Sequence, residues 1–245
     1  MTYWNLVNKV LREADIIILV LDARMPLETR NIEIENKVNN LGKSLIYVIN
    51  KSDLVDLVTL KAIKKQLKKS VFISAKKHTG LTKLREMLGI ESKKINIEGT
   101  VKVGVLGYPN VGKSSLINSL RGRESAPVSS VSGYTKSIRN VRTSGKIMFL
   151  DSPGVIPYKE EDDVKHAMIG TIDHSREKDP DLVVMQLIRT FPGIIGEYYG
   201  VVEDDDVLES IAIKRNLLRK GNELDISRTA RMILKDWQTG KIVKK

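Results

Sequence analysis

The sequence has no cysteine, few aromatic residues and no long hydrophobic run. The absence of cysteine excludes disulfides and thiolate metal sites. It does not establish that the compartment is reducing. The mostly apolar stretch at 14–21 is far shorter than the roughly 18 residues of a membrane-spanning helix, and the charged Asp22 follows it. Because no signal peptide opens the chain either, the sequence predicts a cytoplasmic protein without a membrane partner.

The chain is nevertheless long enough to bury a sizeable core. Its 245 residues exceed one typical domain, and 41% of them are hydrophobic, which is typical of a folded globular protein. Three Phe and two Trp offer little for stacking on bases, and neither a zinc knuckle nor an RNA-recognition sheet motif is present. Sequence-specific readout of a nucleic acid is therefore not indicated.

The net charge of +11 is distributed in blocks. Residues 1–156 carry 26 Lys/Arg against 13 Asp/Glu, residues 157–213 carry 5 against 14, and residues 214–245 carry 10 against 3. The two basic blocks favour a polyanionic partner through counterion release, while the acidic block between them packs or repels.

A basic helix is expected near the end of the chain, with Asp225 as its N-cap. One face of this helix is apolar, and the opposite face carries Arg228, Arg231 and Lys235. A solvated basic face and a phosphate-binding face both fit this pattern, and the surrounding Lys and Arg residues favour the second. The apolar face consists of Ala230, Ile233, Leu234 and Trp237.

Short β-branched runs alternate with helical patterns over the first 156 residues. This alternation predicts an α/β fold with a mostly parallel sheet that helices cover on both faces. Two further strands, at 137–143 and 146–150, are close enough in sequence to form a hairpin. The expected parallel strands are 16–21, 43–50, 71–73 and 101–106.

A phosphate-binding loop follows the strand at 101–106 and precedes a helix. Ligands of parallel sheets bind beyond the carboxyl ends of the strands, where this loop lies. Its backbone N–H groups converge on phosphate oxygens, Lys113 reaches the β and γ phosphates, and the Ser114 hydroxyl coordinates Mg²⁺. The residues expected to bind the nucleotide here are Asn110, Val111, Gly112, Lys113, Ser114 and Ser115.

A base-reading tetrad, Asn50-Lys51-Ser52-Asp53, follows the strand at 43–50. The carboxylate of Asp53 can accept hydrogen bonds from the ring N–H and the exocyclic amine of guanine, and adenine offers no such pair. At the next strand end, the backbone N–H groups of Ser74 and Ala75 are expected to face the guanine carbonyl oxygen. Together these elements predict GTP and GDP as the ligands.

Asp151-Ser152-Pro153-Gly154 follows the strand at 146–150. An aspartate at this position holds Mg²⁺ through water, and the N–H of Gly154 meets the γ phosphate. Thr135 is the expected Mg²⁺-contacting switch threonine, with Ser129, Ser130 and Ser132 as alternatives. The candidate catalytic residues are therefore Lys113, Thr135 and Gly154, and the candidate Mg²⁺ ligands are Ser114, Thr135 and Asp151.

The order of these motifs is unusual, because the base-reading tetrad precedes the phosphate-binding loop. Ordinary small GTPases have the loop first, so the sequence predicts a P-loop GTPase fold in circularly permuted order. This order, together with Asp22-Ala23-Arg24-Met25-Pro26, resembles the circularly permuted GTPases of ribosome assembly, the group that contains RbgA (YlqF). The tail from 214 to 241 is also similar to the C-terminal helical domain of that group.

The resemblance implies GTP binding and hydrolysis together with association with large-subunit ribosomal RNA. It also implies that Asn110 coordinates K⁺ beside the phosphates, whereas a role in capping and shaping the loop fits Asn110 equally well. Val155 and Ile156 follow Gly154, so no glutamine orients the attacking water there and intrinsic hydrolysis is expected to be slow. The N-terminal histidine of bacterial members is missing from residues 1–15.

The sequence divides into a GTP-binding domain at 1–156 and a small helical, partly basic domain at 157–245 that contacts RNA. The expected function is a GTP-driven switch on the large ribosomal subunit or its precursor. One rival is a regulatory GTPase whose effector is a protein, and another is an enzyme that uses GTP in RNA modification. The second rival lacks a further catalytic constellation of Cys, His or carboxylates.

Overall fold

The computed structural model describes residues 3–95, 99–121, 137–142, 146–157 and 160–243. The chain divides into two compact units, Met1–Glu160 and Glu161–Lys245. The sequence places the boundary between 156 and 157, directly after the segment that begins at Asp151.

The first unit is built around a sheet of six strands among the described residues, in the order β3-β2-β1-β4-β6-β5. All neighbouring strands run parallel except β5, which pairs antiparallel with β6. This topology confirms the predicted mostly parallel α/β fold. The strands are β1 (Ile16–Asp22), β2 (Ser44–Asn50), β3 (Ser70–Phe72), β4 (Val101–Leu106), β5 (Arg139–Arg142) and β6 (Ile147–Asp151).

Burial follows the position of each strand in the sheet. All seven residues of β1 are buried, since β1 lies between β2 and β4 and is covered on both faces. The edge strand β5 is mostly exposed and carries Arg139 and Arg142. The helices of this unit are α1 (Tyr3–Glu13), α2 (Ile32–Asn40), α3 (Leu57–Gln66), α4 (Leu81–Ile95) and α5 (Lys113–Arg121), with a short 3-10 helix at Ser52–Leu54.

The second unit is helical within its described residues. Trp237 is fully buried there, donates from Nε1 to the carbonyl oxygen of Met168 at 2.7 Å, and packs against Phe191 with 5.1 Å between ring centroids. The helices are α6 (Asp163–Met168), α7 (Pro180–Thr190), α8 (Ile194–Tyr199), α9 (Val207–Lys214) and α10 (Ile226–Gln238). No described helix of either unit is long and apolar enough to cross a membrane.

The last helix matches its prediction except at one residue. Asp225 is the N-cap and accepts from the backbone N–H of Arg228 at 3.0 Å, and the four predicted apolar residues are fully buried. Arg231 is not free for a phosphate, because its guanidinium donates to the Ser227 hydroxyl and to the carbonyl oxygen of Glu177. Those partners stabilise the second unit and leave Arg228 and Lys235 as the exposed cations of α10.

Candidate functional site

The candidate site lies in the first unit, at the carboxyl edge of the parallel sheet. Asp22, Asn50 and Asp151 are each the last residue of a strand, and the phosphate-binding loop at 107–112 connects β4 to α5. Because parallel strands all end at the same edge, residues far apart in sequence meet there. Hydrogen bonds then connect the predicted motifs directly.

Asn50 links three of these segments through its side-chain amide. Nδ2 donates to the carbonyl oxygen of Val111 at 2.8 Å, and Oδ1 accepts from the backbone N–H of Ala75 at 3.1 Å. Asn50 is 3% exposed, so both bonds form in a water-poor environment. Asn50 thus joins the base-reading segment to the phosphate-binding loop and to the loop after β3.

Gly112 makes this approach possible. Its φ of 95° is a conformation that residues with a side chain rarely adopt, and an added Cβ would collide with Nδ2 of Asn50. The glycine is therefore required both by the turn and by the neighbouring side chain. Asn110 also has a positive φ, of 60°, which asparagine tolerates better than most residues.

Lys113 is 6% exposed at the start of α5. Its Nζ donates to the carbonyl oxygens of Gly107 at 3.1 Å and Tyr108 at 2.6 Å, so the ammonium lies within the curve of the loop. Burial lowers the pKa of Lys113 to about 8, and the nearby Asp151 opposes this shift. Ser115 lies two residues after Lys113 in the first turn of the same helix and is half-buried.

Ser114 and Asp151 form the second polar contact of the site. The Ser114 hydroxyl donates to Oδ2 of Asp151 at 3.0 Å, whereas Oδ1 of Asp151 is buried and has no hydrogen-bond partner among the described residues. Burial raises the pKa of Asp151, with the hydrogen bond from Ser114 working against it. A hard cation between the two side chains would satisfy the unpaired oxygen, so hydroxyl and carboxylate fit Mg²⁺.

The segment after Asp151 lies against the phosphate-binding loop. An added Cβ on Gly154 would be 2.5 Å from the Cα and N atoms of Pro109, so only glycine fits there. Val155 donates its backbone N–H to the carbonyl oxygen of Gly107 at 3.2 Å and is 3% exposed. Val155 is therefore a core residue, and it offers no polar group to a water molecule.

The base-reading segment places its carboxylate near the surface of the site. The side chain of Asp53 is 11% exposed, and its Oδ2 lies 3.8 Å from Nζ of Lys77, whose side chain is 63% exposed. A long ion pair to an exposed lysine contributes little, which leaves the Asp53 oxygens able to accept from a ligand. Lys51, two residues earlier, has the left-handed φ of 59° and pairs with Asp22 at 2.7 Å.

The structure gives the two predicted guanine-facing amides partners within the fold. The backbone N–H of Ser74 donates to the carbonyl oxygen of Thr79 at 3.2 Å, and that of Ala75 donates to Oδ1 of Asn50 at 3.1 Å. Both amides stabilise the loop itself, because a buried loop must satisfy its own backbone groups. Thr135 and its alternatives Ser129, Ser130 and Ser132 lie outside the described residues.

One contact was not anticipated from the sequence. The sequence shows Asp22 only as the charged residue after the first apolar stretch and as part of the motif that begins with it, yet its carboxylate binds both Arg24 and Lys51. The spacing of two residues between Asp22 and Arg24 indicates the first of these contacts. The contact with Lys51 depends on the alignment of Asp22 opposite Asn50. That alignment is a property of the folded sheet.

These elements define a class of protein. A parallel sheet with a Gly-rich loop, a base-reading tetrad and a strand-end aspartate at one edge is the P-loop GTPase fold, and the base-reading strands come first in this chain.

Comparison with known proteins agrees with this class. The family of 50S ribosome-binding GTPases matches residues 102–218, and the elongation factor Tu GTP-binding domain matches residues 1–98. YlqF of T. maritima has the same fold, with a TM-score of 0.69 over 98% of this chain and 94% of that chain, at 23% sequence identity. The chain therefore has the P-loop GTPase fold, with its base-reading strands before its phosphate-binding loop, as the sequence predicts.

Several longer proteins are similar in sequence. An uncharacterized GTP-binding protein of Methanocaldococcus jannaschii is 43% identical over 97% of this chain. The nuclear/nucleolar GTPase 2 of Oryza sativa is 31% identical over 98% of it. The chain spans 65% of the first relative and 47% of the second, so each of them has further sequence.

Proposed function

We propose that this protein binds GTP and GDP with Mg²⁺, hydrolyses GTP, and acts as a switch on the large ribosomal subunit or its precursor through ribosomal RNA. The observation that carries the nucleotide part is the pair of hydrogen bonds from Asn50 to Val111 and Ala75. They bring together motifs that are 61 and 25 residues apart in sequence, in an order that no ordinary GTPase has.

Guanine is the base that the site fits. The carboxylate of Asp53 accepts hydrogen bonds from two donors on one edge of guanine, and its loose pairing with Lys77 is easily exchanged for them. Adenine presents an acceptor at the matching ring position, which a carboxylate repels. A site built around such hydrogen bonds discriminates strongly, because the wrong base leaves a buried acceptor unpaired.

The phosphates occupy the loop at 107–112 in this proposal. Phosphate oxygens take the place of the Gly107 and Tyr108 carbonyls as partners of Lys113, and backbone N–H groups at the start of α5 complete the cradle. Ser114 and Asp151 hold Mg²⁺, whose charge offsets that of the β and γ phosphates. Ser115 contributes to nucleotide binding from the first turn of α5.

Hydrolysis proceeds by in-line attack of water on the γ phosphorus, with cleavage of the bond to the β-γ bridging oxygen and release of GDP and phosphate. Lys113 and the N–H of Gly154 stabilise the charge that develops on the γ phosphate. Val155 orients no water, so intrinsic turnover is slow and the RNA partner or a bound K⁺ accelerates it. Asn110, in its left-handed conformation within the loop, is the residue proposed to bind K⁺.

A polyanionic partner is supported by an exposed basic surface on the first unit, which we call the α3 face. It consists of the exposed residues Lys61, Lys64, Lys65 and Lys68, with Lys83 of α4 beside them. The pKa of Lys64 is lowered by burial and then by repulsion from Lys83, so cations of the two helices lie near each other. In the described part of the chain, Lys61, Lys65 and Lys68 form no ion pair.

Such a surface favours the phosphates of RNA. Residues 57–95 carry 11 Lys/Arg against 2 Asp/Glu, which is most of the net charge of the protein. Lysines spaced along one helix face bind a phosphate backbone as point charges, without reading bases. Arg228 and Lys235 of α10 give the second unit, within the proposed domain 157–245, exposed cations of its own.

The nucleotide proposal is tested by titrating the protein with GDP, a non-hydrolysable GTP analogue and an ATP analogue in the presence of Mg²⁺. Binding of the first two and not of the third supports the assignment, whereas equal binding of the ATP analogue would refute it. Release of phosphate from GTP, measured with and without K⁺ and with ribosomal subunits, then tests hydrolysis and its acceleration.

The partner proposal is tested by co-sedimentation with large ribosomal subunits at increasing salt. Salt-sensitive binding that a GTP analogue strengthens supports an RNA contact. The alternative is a protein effector, and the exposed Leu57 and Val58 at the start of α3 are the apolar residues that such a partner would use. Nucleotide-dependent binding to a protein in the absence of RNA would favour that alternative and refute the assignment of RNA as the partner.

A further inference from the structure

Asp22 lies at the carboxyl end of β1 and is 2% exposed. Its Oδ1 accepts from the backbone N–H and the Nε of Arg24, both at 3.0 Å, and its Oδ2 accepts from Nη2 of Arg24 at 2.8 Å. The same Oδ2 lies 2.7 Å from Nζ of Lys51. One carboxylate therefore binds two cations, and one of these belongs to the base-reading segment.

The sheet itself creates this contact. Asp22 and Asn50 are opposite each other at the ends of the neighbouring strands β1 and β2, and the backbone N–H of Ala23 donates to the carbonyl oxygen of Asn50 at 2.8 Å. This backbone hydrogen bond extends the pairing of β1 and β2 by one residue beyond Asp22. It places Lys51, which follows Asn50, beside the carboxylate of Asp22. The ammonium of Lys51 is thereby fixed at the end of β1.

Lys51 needs such a restraint, because its backbone has the left-handed φ of 59°. Non-glycine residues hold this conformation only where their surroundings determine it. Asn50 restrains the segment on one side through Val111 and Ala75, and Asp22 restrains it on the other through the lysine side chain. The segment is thus set before a ligand arrives.

The electrostatic balance shows that the carboxylate stays charged. Burial by itself raises the pKa of Asp22, yet Arg24 and Lys51 together hold it far below its usual value. The pKa of Lys51 is lowered by burial, while the attraction of Asp22 opposes that shift. An ionised carboxylate and the guanidinium beside it are stable here only as a set with Lys51, because Asp22 and Arg24 are buried away from water.

Arg24 has a separate task within the set. Its Nε and Nη2 bind the two oxygens of Asp22 side by side, which fixes the plane of the carboxylate. Oδ2 is then left with one direction for a further donor, and Lys51 takes it. A lysine in place of Arg24 would keep the charge and lose this two-point alignment.

We propose that Asp22 and Arg24 are positioning residues for the nucleotide, which hold Lys51 and the base-reading segment in the conformation that binds guanine. This inference rests on the proposed function, since the ligand that benefits is a guanine nucleotide. In this proposal Asp53 determines the specificity for guanine, whereas Asp22 increases the affinity for the nucleotide without affecting which base is preferred. The restraint removes the rotamer freedom of Lys51 in advance, which would otherwise be lost on binding.

A double-mutant cycle on the full chain tests this role, with fluorescently labelled GDP as the probe. Asp22→Asn is expected to weaken GDP binding about tenfold, or about 1.4 kcal/mol. In a Lys51→Met background the same substitution is expected to have no further effect, because the side chain through which Asp22 acts is gone. An equal loss in both backgrounds would overturn the proposal.

Further variants separate positioning from folding. Arg24→Lys keeps the buried charge balance and is expected to lose a few-fold in GDP affinity, so it serves if Asp22→Asn does not fold. Glu13→Gln removes the carboxylate of an exposed pair with Lys9 and is the matched control, with unchanged affinity expected. Full GDP affinity in a folded Arg24→Lys protein would count against a positioning role.

The base preference separates a positioning role from direct reading of the base, and the coupling in the double-mutant cycle separates it from a merely structural role. Asp22→Asn is expected to lower the affinities for GDP and xanthosine diphosphate by the same factor, so that their ratio is unchanged. A changed ratio would show that Asp22 reads the base and would overturn the proposal. If the wild-type protein binds no guanine nucleotide, the proposed function itself fails; if it binds GDP but the cycle shows no coupling, only the positioning role fails.

Discussion

Two groups of lysines in the first unit carry the same charge in opposite surroundings. Lys51 and Lys113 lie at the carboxyl edge of the sheet, where each has specific partners within 2.7 and 2.6 Å. Lys61, Lys65 and Lys68 lie on the α3 face, where they are exposed and form no ion pair in the described part of the chain. A cation at the sheet edge is fixed by specific partners, whereas the exposed cations act together through their summed field.

This difference decides how each group responds to change. At the sheet edge, removal of one charge leaves its partners unpaired in a water-poor site, so single substitutions have large effects. On the α3 face each lysine is screened by water and salt, so effects are small, cumulative and dependent on ionic strength.

The largest effect is expected from Lys113→Ala. Loss of the buried ammonium removes the charge-assisted bonds to the phosphates and is predicted to weaken GTP binding about a hundredfold or more. Isothermal calorimetry measures the affinity, and Lys65→Ala on the α3 face is the control with unchanged affinity expected. Comparable losses in the two variants would remove the distinction between the two groups.

Asp53→Asn is expected to change the preferred base. The amide donates where the carboxylate accepted, so GDP affinity is predicted to fall about a hundredfold while xanthosine diphosphate binds more tightly. Competition of the two nucleotides against a labelled probe measures the ratio. A variant that keeps the guanine preference would show that Asp53 does not read the base.

The α3 face is probed by changing Lys61, Lys65 and Lys68 to alanine together. Lys64 is retained, since its Nζ donates to the carbonyl oxygens of Lys68 and Ser70 and so stabilises the end of α3. Affinity for an RNA duplex is predicted to fall about tenfold at 0.1 M salt, and the slope of log affinity against log salt to fall by about two to three. GDP affinity, measured on the same sample, is expected to be unchanged.

The matched control for that variant replaces three lysines that already have carboxylate partners. Lys9, Lys37 and Lys94 pair with Glu13, Glu33 and Glu91, so their removal takes away the same charge from other places. An equal loss of RNA affinity in this control would show that net charge alone matters and that the α3 face has no special role.

The smallest predicted effect is one of pH. Because burial lowers the pKa of Lys113 to about 8, the nucleotide-free protein loses this charge just above neutrality. Bound phosphates favour the charged form, so affinity is present below that pKa and falls as pH rises through it, by about fourfold between pH 7 and 8.5. Lys113→Arg, which stays charged, is predicted to bind more weakly with no such decline, and a parallel decline would exclude Lys113 as the cause.

Much of this site follows from local sequence because its parts are local. The loop at 107–112 and the tetrad at 50–53 each follow a buried strand, and parallel strands place their ends at one edge. The sheet, the permuted order and the helix that starts after Asp225 were therefore predicted correctly.

The remaining features depend on partners that are distant in sequence. Ala75 gives its N–H to Asn50, 25 residues away, and Arg231 gives its guanidinium to Glu177, 54 residues away. The contact between Asp22 and Lys51 depends in turn on the alignment of two strands. No periodicity in the sequence reports such pairings, because they are decided when buried polar groups find acceptors in the folded chain.

The central claim is that rearranged segments form one pocket for a guanine nucleotide with Mg²⁺. Titration calorimetry of the intact chain with GDP and a GTP analogue, repeated with ADP and an ATP analogue, tests it most directly. The account predicts one guanine nucleotide per chain and no detectable adenine nucleotide binding. Absence of guanine nucleotide binding, or equal affinity for both bases, would contradict it.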